Sequence, residues 1–219
     1  MISLKISEKP AEIYLVQSST LESISEKMKA SLASKPMIRD FGGREVLKLP
    51  NDDPAIWKIL LHWKIKGFLP FPPEEKKYCK GKETEAVLKL LCQCWIFGEK
   101  HDASQFQDII MFEILRILEF IQVSPELLQI VFEHAPAKSA LCELMTEQAV
   151  LFLKDKDNTV TSGSLQEMIG AEQNLESFLD AAMWVENIEP KRRLKFKEGW
   201  YPFMIGDGPH WVFSTMEDD

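Results

Sequence analysis

The sequence predicts an α+β fold: a small β-sheet packed against a cluster of α-helices, with a C-terminal helical extension. Three observations carry this expectation. Residues 2–6 (ISLKI) and 12–16 (EIYLV) alternate apolar and polar positions, as strands with one buried face do. A further short run, 46–49 (VLKL), leads into a cleanly capped helical pattern. From Thr84 onward apolar residues recur at helical spacing almost throughout.

Taken in order, the two first strands flank the polar turn SEKPA and predict a hairpin or meander. A helix is expected from Ser19, because Ser19 and Glu22 have capping-box spacing. Leu21, Ile24, Met28 and Leu32 then form one buried stripe. Pro36 and the Gly42–Gly43 pair end that unit. After the strand at 46–49, Asp53 is an N-cap with Pro54 at the first helical position, where its missing N–H costs nothing. Ile56, Leu60 and Trp63 share a face, with Trp57 and Leu61 beside it, and Gly67 terminates the helix in a left-handed conformation. The stretch FLPFPPEEKKYCKGKE reads as an exposed loop.

Val87, Leu90, Leu91 and Cys94 make the apolar face of the next helix, up to Gly98. Phe106, Ile109, Ile110, Ile114 and Ile117 mark a second helix. Ser124–Pro125 opens a third, with Leu128, Val131 and Phe132, and Leu141, Leu144, Met145 and Phe152 mark a fourth. Residues 155–164 (DKDNTVTSGS) are polar and read as a linker. Ser164 and Glu167 repeat the capping-box spacing before a helix through Met183. The tail carries Trp200, Tyr201, Phe203, Trp211 and Phe213, and the Gly206–Asp207–Gly208 turn suggests a hairpin. So many aromatic side chains are expected to pack on the preceding domain.

The 219 residues suffice for one ordinary domain with an extension, and 45% apolar residues allow a real core. With 34 acids against 26 bases the formal charge is −8. That balance repels phosphate backbones, so neither nucleic acid nor an anionic membrane is an expected partner. No apolar run reaches the length of a bilayer span, and the first residues lack a signal-peptide pattern. The four cysteines, Cys79, Cys92, Cys94 and Cys142, have irregular spacing that suits reduced thiols. The expected location is intracellular, in cytoplasm or nucleus.

No motif rises to catalysis. Cys92 and Cys94 lie two apart on a helix, about 200° around its axis, and cannot face one metal ion. They read as buried structural thiols. His62, His101, His134 and His210 are scattered singly, and His101 suits a helix end, where a cation complements the dipole. Asp52–Asp53 reads as a cap and Glu74–Glu75 as a solvated loop. Gly42–Gly43–Arg44 lacks the rest of a phosphate loop. KRRLKFK reads as a solvated basic edge, with a nuclear-import patch at Lys191, Arg192, Arg193 and Lys195 as the alternative. No cofactor and no metal are expected.

Three segments resemble BTB/POZ domain proteins of the type abundant in filamentous fungi. REVLKLPNDDPAIWKILLHWKIKGFLP resembles the family's strand, capped helix and glycine exit. LLCQCWIFGEKHDASQFQDIIMFEIL resembles its helix pair, with Phe97 to His101 in the alanine–aspartate–lysine–tyrosine region. VSPELLQIVFEHAPAKSALCELMTEQAVLFL resembles the fungal extension. Gln17 stands where the family usually has a histidine. The resemblance implies a fold similar to Skp1 and elongin C, with a BTB/POZ-like domain over 1–121 and a helical extension over 122–155. A linker (156–163) and a C-terminal helix with an aromatic hairpin (164–219) then follow.

Functionally the resemblance implies a non-enzymatic protein-interaction scaffold. The alternative is a cullin-3 ubiquitin ligase substrate adaptor. The N-terminal helix and strand used by swapped homodimers of the family are missing ahead of the first strand, so a swapped dimer is not expected. The loop aromatics Phe68, Phe71 and Tyr78 are the candidate partner-binding residues. An enzyme built on Cys79, His101 or His134 is the remaining alternative.

Overall fold

The computed structural model describes residues 1–7, 12–34, 38–39, 43–71, 82–154 and 203–205. Within these the chain is mixed α and β, with a four-stranded sheet and several helices. The backbone divides into two compact units, 1–77 with 97–106, and 78–96 with 107–219.

The first unit holds the sheet. Strands β1 (Ile2–Ile6) and β2 (Glu12–Val16) pair antiparallel, with Leu4 opposite Tyr14. Strand β4 (Glu45–Leu49) lies parallel to β1, with Leu4 opposite Leu47. Strand β3 (Ile38–Arg39) pairs antiparallel with β4, giving the order β2-β1-β4-β3. The short β3 falls inside the stretch from Pro36 to Gly43 that the sequence marks only as an ending; two residues are too few to show an alternation. Ile2, Leu4 and Ile6 share one sheet face and are all buried, as are Val16 and Leu47 on the same face.

Between β2 and β3 the expected single helix is two. Helix α1 (Ser18–Glu22) starts after Gln17, whose side chain makes no capping bond. The Ser19–Glu22 capping box does not form; instead the Ser18 hydroxyl donates to the Glu22 carboxylate at 2.5 Å. Ser23 ends α1 and its hydroxyl returns to the Thr20 carbonyl. Helix α2 (Glu26–Ser34) is capped by Ser25, whose hydroxyl accepts the Met28 N–H at 3.0 Å. Local serine–backbone bonding thus competes with a continuous helix and wins at residues 23–25. The apolar stripe survives the break: Leu21, Ile24, Met28 and Leu32 are all buried.

Helix α3 (Pro54–Lys66) has the predicted ends. The Asp53 carboxylate accepts the Ala55 N–H at 2.8 Å, and Gly67 closes the helix at φ 80° with its N–H on the Trp63 carbonyl. Ile56, Trp57, Ile59, Leu60 and Leu61 are buried, whereas Trp63 is only partly so. Helix α4 (Lys82–His101) passes Gly98 and ends at His101; its last five residues belong to the first unit. Helix α5 (Ser104–Leu118) follows after Asp102, which takes a left-handed φ of 55°.

The second unit is helical among its described residues. On α4 the deeply buried positions are Leu88, Leu91, Cys92, Cys94 and Trp95, while the expected Val87 and Leu90 are half-buried. The face is thus turned toward Leu88 and Trp95. Helix α5 buries Ile109, Ile110, Ile114 and Ile117 as expected. Helix α6 (Pro125–His134) is capped by Ser124, which accepts the Leu127 N–H, and it packs on α7 (Ala140–Lys154). The expected linker, the helix through Met183 and the hairpin turn lie outside the described residues. Phe203 to Ile205 are the described part of the tail.

Candidate functional site

A polar cluster in the first unit is assembled from three chain-distant segments. Asp52 sits in the turn after β4, its N–H directed to the Leu49 carbonyl, one residue before the cap of α3. Its side chain is 4% exposed. The Trp57 indole N–H, one turn into α3, donates to Oδ2 at 2.9 Å. Lys100 Nζ donates to Oδ1 at 2.5 Å, and His101 Nε2 lies 3.0 Å from Oδ2. Burial works to raise the Asp52 pKa, but His101, Lys100 and Trp57 together outweigh it and hold the carboxyl well below the usual carboxylate range.

An aromatic wall surrounds this carboxylate. Trp57 meets Phe97 edge-on at 5.4 Å between centroids, and His101 lies 4.3 Å from Phe97. Phe97 and His101 are one helical turn apart, so the end of α4 presents both rings on one side. The end of α4 is further tied to α2: the Ser25 hydroxyl donates to the His101 carbonyl at 2.7 Å, and Lys27 Nζ donates to the Lys100 carbonyl at 2.6 Å. Serine therefore engages the histidine backbone and not its ring. What this arrangement does chemically is satisfy a buried charge while locking the β4–α3 turn to the end of α4.

Sequence reasoning reads Asp52 with Asp53 as a cap. Only Asp53 caps; Asp52 is the anchor of the cluster. A signal was present in Trp57, because a buried indole N–H seeks an acceptor and Asp52 lies one turn upstream beside Asp53, which the cap already occupies. His101 does stand at a helix end as expected, with a carboxylate as its charged neighbour besides the helix dipole.

The sequence-derived partner residues fall around the C-terminus of α3. Phe68 is 60% exposed, and its ring stands edge-on to His62 at 5.2 Å. Ile65, in the last turn, is 66% exposed. Leu69 is buried and Phe71 is half-buried. Lys64 lies over the Trp63 ring at 5.3 Å, and burial lowers its pKa. Tyr78 and the basic residues Lys191, Arg192, Arg193 and Lys195 lie outside the described residues.

The described thiols, Cys92, Cys94 and Cys142, are buried and form no disulfide among the described residues. Burial, with Cys94 adding to it, pushes the Cys92 thiol far up, and burial raises that of Cys142 as well. A thiol held protonated is a packing group. Cys79 lies outside the described residues, and His134 is exposed at the end of α6. Among the described residues no group of three or more His, Cys, Asp or Glu is placed to hold a metal ion. No described helix is long and apolar enough to cross a membrane. Comparison of the chain with family models, with curated proteins and with solved structures finds no match.

Proposed function

We propose that the chain is a non-enzymatic protein-interaction module of the BTB/POZ type, and that the C-terminal end of α3 is its contact face. The observation that carries this reading is the fixed exposure of Ile65 and Phe68 on either side of Gly67. Two large apolar side chains are held in solvent by a closed helix end, not by a loose loop. The next residue, Leu69, is buried, and the His62 ring stands against Phe68. Preorganised apolar groups lose little entropy on binding, which is what a docking surface requires.

Lys64 and Lys66 stand in the same last turn. A fitting partner is therefore a protein surface with an apolar depression rimmed by carboxylates. The resemblance supports the same region, since its first segment runs through this helix and its exit. A sheet drawn wholly from residues 2–49 also accords with the small-sheet architecture that the resemblance implies.

The test is the double variant Ile65→Ser, Phe68→Ser. Both positions are exposed, so unfolding free energy should change by no more than about 0.5 kcal/mol. A co-purifying protein present with the wild type should be lost with the variant. A purified cullin-3 N-terminal region, added as a defined partner, reports whether the module serves a ubiquitin ligase. Undiminished partner binding by the folded variant would remove this face from consideration.

A further inference from the structure

A second aspartate, on α5 in the second unit, engages the far end of the chain. Asp108 is 3% exposed, and its Oδ1 accepts the backbone N–H of Ile205 at 2.6 Å, across 97 residues. Two residues before that amide, Phe203 is 1% exposed, whereas the Ile205 side chain is 45% exposed. One ring is inserted, one backbone amide is read by a buried carboxylate, and the side chain at the amide is left outside. Such a pattern selects an aromatic residue at one position and accepts almost any residue two positions later. The backbone bond to an anionic acceptor is of the stronger, charge-assisted kind.

We infer that the surroundings of Asp108 form a peptide-recognition niche, and that its resident ligand is this chain's own segment 203–205, acting as a releasable clasp. The ligand class is a short peptide with an aromatic side chain followed, two residues on, by a free backbone N–H. Within this reading the buried carboxylate on α5 marks where the peptide backbone must lie. Such a clasp exchanges with another peptide that supplies the same aromatic side chain and backbone N–H.

The experiment uses the full chain. In the wild type, amide-resolved hydrogen exchange should show the Ile205 N–H slowed by about tenfold or more relative to an unprotected amide. This protection should not depend on protein concentration. In full-length Phe203→Ala the niche is vacated, and a synthetic peptide spanning residues 199–208 should bind. The same peptide with alanine in place of Phe203 should not bind, and neither peptide should bind the wild type. Adding Asp108→Ala to the Phe203→Ala chain should weaken peptide binding by about tenfold. An unprotected Ile205 amide in the wild type overturns the inference, even if no variant folds. Protection that grows with concentration also overturns it, by assigning the segment to a second copy. So does a folded Phe203→Ala chain that ignores the peptide.

Discussion

Trp57 and Trp95 are both fully buried, one in each unit, and their indole nitrogens meet opposite fates. Trp57 hands its N–H to the Asp52 carboxylate, while the Trp95 nitrogen has no hydrogen-bond partner among the described residues. The difference separates two ways of using a large ring. In the first unit the indole is one donor in a charged cluster, and its orientation is fixed by that bond. In the second it fills volume on the buried side of α4, and no described residue accepts its N–H.

The sharpest way to break this contrast is to remove the acceptor. Asp52→Ala leaves the Trp57 N–H buried without its acceptor and removes the carboxylate that Lys100 and His101 face. Lys100 is half exposed, so its share is screened by water; the buried members should still make the loss about 3 kcal/mol in urea unfolding. The pH dependence carries the same signature. Because the folded-state pKa of Asp52 is depressed, its contribution is present above the ordinary carboxylate pKa of about 3.9 and is lost as pH falls below it. Asp52→Asn should therefore flatten the acid side of the stability curve and leave the neutral side parallel to the wild type.

A smaller effect sharpens the comparison itself. Trp57→Phe and Trp95→Phe remove the same volume, but only the first deletes a hydrogen bond. Trp57→Phe should be the more destabilising of the two by about 1–3 kcal/mol, measured by denaturant unfolding on both variants. Equal losses would show that the Asp52 bond adds nothing. Smallest is Ser25→Ala, which removes the cap of α2 and the tie to the His101 carbonyl, for a loss of about 1 kcal/mol.

The sequence was most readable where one local rule decides the outcome. Asp53, Pro54 and Gly67 bound α3 by cap chemistry alone, and Ser124 does the same for α6. Alternation located β1 and β2, and the short apolar run ahead of the capped helix located β4. Legibility failed where neighbours compete: Ser18, Ser19, Ser23 and Ser25 offer several capping choices within eight residues, and the chain takes one that spacing does not rank. On α4 the apolar residues nearly encircle the axis, so periodicity could not tell Leu88 from Val87. The Asp52 cluster was hidden for a different reason. Lys100 is 48 positions away, and no local pattern announces a contact at that range. The exposed Phe68 was legible as a loop aromatic next to a glycine exit, whereas its companion Ile65 lies in the helix and carries no such mark.

The parallel seam between β1 and β4 sets an order of assembly. β1 can meet β2 across a short turn, but Leu4 reaches Leu47 only after a loop of more than forty residues is closed. By polymer statistics that closure costs about 3 kcal/mol before any hydrogen bond of the seam forms. β1 therefore gains its second neighbour late, and until then one of its edges stays open to any other strand within reach.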